Sequence, residues 1–521
     1  MSRQGSPRVN KGTIKTAKRL LGYVTSTYKV QFVVVIFCIL ISSIASISVS
    51  LSLRFLLDDY IIPLIGQQDP DYTELYMALT VLGTIFLCGV IATFVYSRLM
   101  VTIGQGGLKR VRDEMFEHMQ KLPIRYFDQN TNGSIMSLYT NDTDTLRQMI
   151  NQSIPQVLMS VLTIIVTFIS MLVLSPLLTI LAVLMIALMF FVSRFITGNS
   201  GKYFIRQQID LADVTGFVEE CMNGQKVVKV FNHETISEKE FDELNERLFE
   251  SASKAHTFAS IMGPVVGNMG NILFVLTAVF GGFLSVAGIG NITLGVMASY
   301  LQFTKSFTQP FMQIAQQFNS IIMALAGAER IFGLMDEEPE VDDGYVTLVN
   351  AKKDADGKIT ECKERTGLWA WKHPHQADGT VTYRELKGDV RFYNMTFGYT
   401  PDHMVLHDLT LYAKPGQKVA FVGSTGAGKT TITNLINRFY DVADGKIRYD
   451  DININKIKKA DLRRSLGIVL QDTHLFTGTI MENIRYGKLD ATDEEVYSAA
   501  RLAHADGFIQ MLPNGYDTQL T

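Results

Sequence analysis

The chain has 521 residues, of which 47% are hydrophobic and only 19% are charged, against about 25% in an ordinary soluble domain. The formal net charge of −3 makes the chain as a whole no electrostatic match for nucleic acid. The basic N-terminal stretch, residues 1–30, is followed by an apolar run that is too long for a signal peptide. We therefore expect the first hydrophobic segment to stay in the membrane. The four cysteines form no CxxC pair, so the sequence gives no indication of a zinc site or a disulfide scaffold.

Uncharged windows locate the membrane spans, because a transmembrane helix needs about 20 mostly apolar residues. Four windows contain no Asp, Glu, Lys or Arg: residues 31–53, 75–97, 148–193 and 255–304. The first two windows predict one helix each. The longer two predict two helices each, with turns at Ser175-Pro176 and at Gly288-Ile-Gly-Asn291. The sequence therefore predicts six membrane helices, and the length of these windows argues against buried core helices in a soluble protein.

The distribution of Lys and Arg predicts the orientation of these helices. Residues 1–30 carry seven basic residues and no acid, and the connections 98–147 and 194–254 carry seven and eight basic residues. By contrast, the first loop, 54–74, is acidic. We therefore expect the N-terminus, both long connections and the C-terminal half to be cytoplasmic, with the short loops outside. The long connections are polar and helix-prone, so we expect them to extend the membrane helices into the cytoplasm.

The last two spans contain features that fit either a transport path or simple helix packing. Pro310 predicts a kink. The stretch Gly267-Asn-Met-Gly-Asn271 allows close packing, and its two asparagines either line a polar cavity or bond to neighbouring helices. Because the uncharged windows hold no embedded acid or base, we expect a hydrophobic, neutral or weakly polar substrate.

A phosphate-binding loop opens the last third of the chain. The apolar run Val419-Ala-Phe-Val422 is typical of a buried strand, Gly423-Ser-Thr-Gly-Ala-Gly-Lys-Thr430 follows at once, and a helical stretch runs to about Arg438. This is the GxxxxGK[ST] pattern between a strand and a helix. Lys429 places a positive charge on the β- and γ-phosphates, and the Thr430 hydroxyl can ligate Mg²⁺. We therefore predict that ATP and Mg²⁺ bind to Ser424, Thr425, Gly426, Ala427, Gly428, Lys429, Thr430 and Thr431.

Over nearly its whole length the chain resembles an ABC exporter half-transporter. The segments 126–133 with Asn141-Asp142, and 224–231 with Glu234, resemble the two cytoplasmic connections of that family. Asp444-Gly-Lys-Ile-Arg-Tyr-Asp450 resembles its "GxIxxDG" hairpin, although Asp451 stands where the family usually has glycine.

The resemblance assigns further residues to the nucleotide. In Phe397-Gly-Tyr399, the ring of Tyr399 takes the place of the aromatic that stacks on adenine, and Val405 takes the place of a residue beside the sugar. Gln471 corresponds to the glutamine that senses the γ-phosphate through Mg²⁺ and the attacking water. The resemblance thus implies catalytic roles for Gln471 and Lys429 and metal contacts for Thr430 and Gln471. The signature motif, the Walker B carboxylate, the glutamate base and the switch histidine would follow Thr521, so we expect this stretch to bind ATP without its hydrolytic residues.

The predicted fold class is a multidomain membrane protein. An all-α six-helix transmembrane domain is joined to an α/β P-loop nucleotide-binding domain that is incomplete at its C-terminus. The predicted domains are a cytoplasmic segment (1–30), the transmembrane domain (31–330), a linker with a β-hairpin (331–386) and the ATP-binding domain through its Q-loop (387–521). Residues 343–386 depart from the family pattern, and their alternating apolar and polar residues predict a hairpin for docking or packing.

The resemblance implies ATP-driven export of a small, amphipathic or hydrophobic substrate across the bacterial cytoplasmic membrane by alternating access. Two alternatives remain at this stage: a lipid flippase or ATP-gated pathway, and a non-transporting membrane sensor. An importer is disfavoured, because importers usually keep the two domains on separate chains. One subunit of bacterial heterodimeric multidrug-type exporters is what three runs resemble most: Lys414 to Asn434, Asn437-Arg-Phe-Tyr-Asp441 and Gly467-Ile-Val-Leu-Gln-Asp472. We therefore expect a second, different half-transporter as partner, besides the lipid bilayer and a small-molecule substrate, with a homodimer as the alternative.

Overall fold

The computed structural model describes residues 11–65, 67–290, 292–375, 378–400, 402–442, 444–470 and 473–520. These residues form two compact units. The first contains the chain up to Leu122 together with Tyr126–Pro339, and the second contains Pro123–Arg125 and the chain from Glu340 onward. Each unit is described by itself.

The described residues between 11 and 335 are almost entirely helical. Its helices are α1 (Lys11–Thr27), α2 (Lys29–Phe55), α3 (Thr73–Met119), α4 (Ile124–Gln129), α5 (Asn132–Ser137), α6 (Thr143–Gln148), α7 (Ile154–Leu174), α8 (Pro176–Asn223), α9 (Gln225–Phe231), α10 (Glu234–Val286) and α11 (Leu294–Met335). Single π-helical turns at Leu56–Ile61, Leu138–Asp142 and Met149–Ser153 and a 3₁₀ turn at Ile62–Leu64 join some of them. As predicted from the polar connections, α3, α8 and α10 are long, with 47, 48 and 53 residues.

Five helical stretches among the described residues are long and apolar enough to cross a membrane: Lys29–Leu64, Thr73–Met119, Asn132–Leu174, Pro176–Asn223 and Glu234–Val286. They occupy the positions of the first five predicted spans. The sixth predicted span falls in α11, which has 42 residues but is not among these stretches. Glutamines and a lysine interrupt the apolar sequence of α11 and lower its hydropathy.

Both turns predicted inside the long uncharged windows are present. Ser175 is extended between α7 and α8, its side chain accepts a hydrogen bond from the N–H of Leu178, and Pro176 is the first residue of α8. Between α10 and α11, Gly288 and Gly290 have φ angles of +69° and +79°, which glycine adopts without steric penalty. Asn291, the last residue of that predicted break, lies outside the described residues.

The second unit contains mostly short strands and helices. They are β1 (Thr347–Lys353), β2 (Ile359–Glu361), β3 (Trp369–Pro374), β4 (Val381–Glu385), β5 (Val390–Thr400), β6 (His403–Ala413), α12 (Lys429–Ile436), β7 (Asp444–Tyr449), β8 (Ile452–Asn453), α13 (Lys459–Ser465), β9 (Gly478–Thr479), α14 (Ile480–Arg485), α15 (Asp493–Leu502), α16 (Asp506–Gln510) and β10 (Gln519–Leu520). The strands form antiparallel sheets in the orders β2-β1-β3-β4, β6-β5-β7-β8 and β9-β10.

The segment 343–386 forms a four-stranded sheet rather than the single predicted hairpin. In the register of β1 with β3, Leu348 lies opposite Trp371. The Trp371 side chain is fully buried and meets the ring of Tyr449 edge-on, with 5.7 Å between the ring centroids. This sheet therefore shares its hydrophobic core with β7, because Trp371 fills space that a surface hairpin would have left open.

The apolar run before the phosphate loop is not the predicted buried strand. No described strand pairs with Val419-Ala-Phe-Val422, and the Val422 side chain is 96% exposed. The run from Gly467 to Leu470 is likewise not part of a described strand, and Val469 is 95% exposed. A strand is buried only by its sheet neighbours, so an apolar sequence without them stays open. Helix α12 ends at Ile436, two residues before the predicted Arg438.

Candidate nucleotide-binding site

The loop between Gly423 and Gly428 has a backbone shape that depends on glycine. Gly426 and Gly428 both have φ near +85°, and the N–H of Ala427 donates to the carbonyl oxygen of Ser424 across the turn, at 3.2 Å. A Cβ atom on Gly428 would lie 2.7 Å from Leu406 Cδ2 and 3.2 Å from Val405 Cγ1. Strand β6 therefore lies directly against the loop, and both the φ angle and the close approach require glycine at 428.

Lys429 is the first residue of α12, and its side chain arches back over the loop. Its Nζ donates to the carbonyl oxygens of Gly423 and Ser424, at 2.9 and 2.7 Å. The ammonium group and the N-terminus of an eight-residue helix thus meet at one exposed loop. Both favour an anion at this place, because the first N–H groups of a helix point outward and its dipole is positive there.

Tyr399 lies beside the start of α12. Its hydroxyl is 3.0 Å from Thr431 Oγ1, and its ring is 36% exposed. Tyr440 packs edge-on against it, with 5.0 Å between the ring centroids. A planar ring held in this way offers a surface for another ring to stack on. Sequence reasoning did not assign Tyr440 to the site, although the stretch 437–441 directly after α12 could have pointed to it.

The structure brings most of the predicted site residues together. Val405 lies beside Gly428 of the loop. The hydroxyl of Tyr399 lies beside the hydroxyl of Thr431 in α12. Thr430 lies exposed in the first turn of α12. Gln471, the predicted γ-phosphate sensor, lies outside the described residues.

Charged residues anchor the far end of α12. The guanidinium of Arg438 is buried and donates to Asp441 at 2.9 Å, and Lys459 donates to the other oxygen of that carboxylate at 2.8 Å. Lys459 also lies 3.3 Å from Glu340, which accepts a 2.5 Å hydrogen bond from Arg463. These ion pairs hold the segment that follows α12 in place, and they form only in the folded chain.

Burial and ion pairing oppose each other at the two carboxylates of this cluster. Burial alone would raise the pKa of Asp441, but the hydrogen bonds from Lys459 and Arg438 outweigh it and hold that pKa below its ordinary value. For Glu340, hydrogen bonding to Arg463 overcomes the same effect of burial and lowers the pKa. Both carboxylates therefore contribute stability above the ordinary carboxylate pKa, and this contribution is lost as pH falls through their depressed values.

The turn between β7 and β8 explains the departure from the family's glycine. Tyr449 pairs with Ile452, so Asp450 and Asp451 alone form the turn, with φ of +49° and +62°. Two positive φ angles define a type I′ turn, where aspartate is among the favoured residues. The carboxylate of Asp451 also accepts a 2.6 Å hydrogen bond from Arg384 of β4.

Asp450 is buried, and its carboxylate accepts three hydrogen bonds. Its carboxylate accepts hydrogen bonds from Trp371 Nε1 at 3.0 Å and from the backbone N–H groups of Lys387 and Asp389, at 3.2 and 3.0 Å. This side chain thus joins the sheet containing β3 to the sheet containing β7.

Comparisons with known proteins agree with the order of these parts. The family described as the ABC transporter transmembrane region matches residues 32–311, and the family described as ABC transporter matches residues 406–518. The ABC transporter ATP-binding protein YfiC of Bacillus subtilis is 36% identical over 98% of this chain and 78% of its own length. A fatty acid ABC transporter ATP-binding/permease protein of Mycobacterium bovis is 33% identical over 87% of this chain and 66% of its own length. An ATP-dependent lipid A-core flippase of Syntrophus aciditrophicus is 27% identical over 94% and 74% of the two chains.

The two family matches cover the apolar helices and the phosphate-loop unit, and relatives at this identity run across both. The chain therefore belongs to the ABC transporters, as an exporter half-transporter that joins a membrane-spanning region to the ATP-binding domain of a transport-coupled ATPase.

Proposed function

We propose that this half-transporter exports a small amphipathic or hydrophobic substrate by alternating access. The observation that carries the proposal is the combination, in one chain, of membrane-crossing helices and a glycine-shaped loop whose lysine is already held over the place where phosphates would bind. The proposed transmembrane domain is 31–330 and the proposed ATP-binding domain begins at 387.

The proposed nucleotide contacts follow from the site geometry. Phosphate oxygens replace the two carbonyl oxygens on Lys429, because a charge-assisted bond to an anion is stronger than one to a neutral carbonyl. Adenine stacks on Tyr399 and the sugar lies against Val405. Thr430 and Gln471 hold the Mg²⁺ ion, which would neutralise charge on the phosphates.

Uptake into inverted membrane vesicles tests this proposal directly. ATP-dependent accumulation of a compound by the complete, paired transporter, and its loss in Lys429→Ala, is the expected result. Measurement of transbilayer lipid movement in the same vesicles addresses the alternative of a flippase, which similarity to a lipid A-core flippase makes worth testing. A transporter that binds ATP but moves neither solute nor lipid would instead be a sensor.

We further propose that the N-terminus and the ATP-binding domain face the cytoplasm of a bacterial cell. In a background with all four cysteines replaced, a cysteine at Gln67 should react with an impermeant thiol reagent added outside, and one at Asn130 should not. Gln67 lies in the acidic first loop, whereas Asn130 lies in a basic connection. Labelling of position 130 but not 67 would reverse the orientation.

The functional unit is proposed to be a dimer of two different half-transporters. One ATP-binding domain and one set of membrane helices make half a transporter, and by family analogy each ATP is closed by the signature motif of the other chain. If the complete gene product alone forms a stable dimer with transport-coupled ATPase activity, the unit is a homodimer. Dependence of both stability and activity on co-expression with a different half supports the heterodimer.

A further inference from the structure

Helix α11, on which the sixth predicted span falls, carries Lys305 one residue after the uncharged window. Lys305 is the eleventh residue after Leu294, where α11 begins, which places it about 16 Å along the helix at 1.5 Å per residue. This is about half of the 30 Å hydrocarbon core. The uncharged window ended one residue earlier, so the expectation of spans without an embedded base did not consider Lys305.

Lys305 belongs to an exposed polar face of α11. Gln302, Lys305, Gln309 and Gln316 are all exposed, and their spacing of three, four and seven residues places them on one side of the helix. Lipid tails cannot hydrogen-bond these groups, so this side is expected to face a water-filled path instead.

Two further glutamines, which lie next to this face of α11, are used differently. Gln313 accepts a 2.6 Å hydrogen bond from Gln156 of α7, and Gln317 accepts a 2.7 Å hydrogen bond from Ser153. These amides hold α11 to its neighbour. The polar residues on the exposed side are therefore not needed for that packing.

The surroundings of Lys305 leave its charge available. Its Nζ lies 4.9 Å from the centre of the Phe274 ring on α10, a contact that attracts a cation without neutralising it. Among the described residues no carboxylate lies within ion-pair distance of this ammonium group. Phe274 is twelve residues before Val286, the last residue of α10, so ring and ammonium lie at similar depth.

We propose that Lys305, with Gln302 and Gln309 beside it, binds the carboxylate or phosphate headgroup of an acyl-chain substrate. The inference rests on the proposed export function and narrows its substrate class. An unneutralised cation deep in an apolar region attracts an anion strongly, because the local dielectric is low. Amide N–H groups one helical turn away on either side can donate to the remaining oxygens, and the acyl chain would lie against the apolar helices. An anionic amphiphile thus replaces the neutral cargo expected from the sequence.

Equilibrium binding to the complete, paired transporter in phosphatidylcholine nanodiscs tests this site. The probes are a dansyl-labelled fatty acid, its neutral methyl ester and a dansyl-labelled lysophosphatidate, each titrated by fluorescence. The variants are Lys305→Gln, Lys305→Arg and, as matched control, Lys254→Gln. Lys254 is on α10, 32 residues or about 48 Å along the helix from Val286, outside the hydrocarbon core. Size-exclusion chromatography checks that each variant remains assembled.

We expect the wild type to bind at least one anionic probe about tenfold or more tightly than the ester. Lys305→Gln should remove that preference and leave ester binding unchanged, Lys305→Arg should retain most of it, and Lys254→Gln should behave like the wild type. Preference for the fatty acid alone or for the lysophosphatidate alone identifies the headgroup. Equal binding of all three probes by the wild type, or an undiminished preference in Lys305→Gln, overturns the site. If the site is overturned but vesicles still take up another compound in an ATP-dependent manner, the proposed export function remains. If the wild-type transporter does not bind ATP, the export function is wrong regardless of how the lipid probes bind.

Discussion

Two turns of the ATP-binding unit use left-handed backbone conformations for opposite purposes. In the phosphate loop, glycines at 426 and 428 supply the positive φ angles, and residues 423–427 stay exposed. At the β7–β8 turn, Asp450 and Asp451 supply them, and the buried carboxylate of Asp450 accepts three hydrogen bonds. One turn keeps polar groups available, and the other satisfies its polar groups from within the protein.

The difference distinguishes a binding site from a structural joint. A loop that binds phosphate must leave backbone N–H groups free of internal partners, which only small residues and local geometry allow. A structural turn gains stability by pairing every buried polar group. Substitutions at the first turn should therefore change nucleotide affinity, and substitutions at the second should change stability.

The largest effect is expected from Asp450→Ala. It leaves the indole N–H of Trp371 and two backbone N–H groups without their acceptor, at about 1–3 kcal/mol for each donor that remains buried. We expect the unfolding free energy of the ATP-binding unit to fall by about 3–4 kcal/mol, measured in detergent by urea titration of tryptophan fluorescence. Asp408, an exposed aspartate with φ of +46°, provides the control Asp408→Ala. Equal losses in the two variants would mean that backbone strain, not the buried carboxylate, matters.

Lys429→Ala should come next and act on binding. Removing the ammonium group should weaken MgATP binding at least about a hundredfold, because its charge-assisted bonds to the phosphates disappear. A titration with a fluorescent ATP analogue measures this, and Lys446→Ala, at an exposed position of β7, is the matched control. Affinity equal to the wild type in Lys429→Ala would refute the site.

A smaller effect is expected from Tyr399→Ala. Loss of the stacking surface should raise the dissociation constant for ATP about fivefold, or about 1 kcal/mol. Tyr399→Phe keeps the ring and removes the hydrogen bond to Thr431, so its affinity should stay within about twofold of the wild type. If both variants lose affinity equally, Tyr399 acts by positioning Thr431 rather than by stacking.

The smallest effect is expected from Asp451→Gly, which restores the residue usual in the family. The exposed ion pair with Arg384 contributes at most about 1 kcal/mol, and glycine adopts a φ of +62° more easily than aspartate. These terms should nearly cancel, so the unfolding free energy should change by less than about 0.5 kcal/mol. A loss above about 2 kcal/mol would show that the Arg384 contact holds the two sheets together.

Local signals predicted the features that depend on few residues. The break at Ser175-Pro176 and the glycine-rich phosphate loop follow from backbone preferences of the residues involved, so the sequence was enough. The four-stranded sheet at 347–385 was underestimated, because Trp371 and Asp450 meet across 79 positions of sequence. Tyr440 was missed for the same reason, since its contact with Tyr399 exists only after β5 and α12 pack.

The amino-acid sequence by itself determined the membrane-spanning character, the phosphate loop and the family of this protein, because length, hydropathy and short motifs encode them locally. The tertiary structure decided which residues far apart in the chain meet: Trp371 donates a hydrogen bond to Asp450 and packs edge-on against Tyr449. Contacts of this kind depend on how the chain folds, and the linear sequence does not specify which distant residues become neighbours.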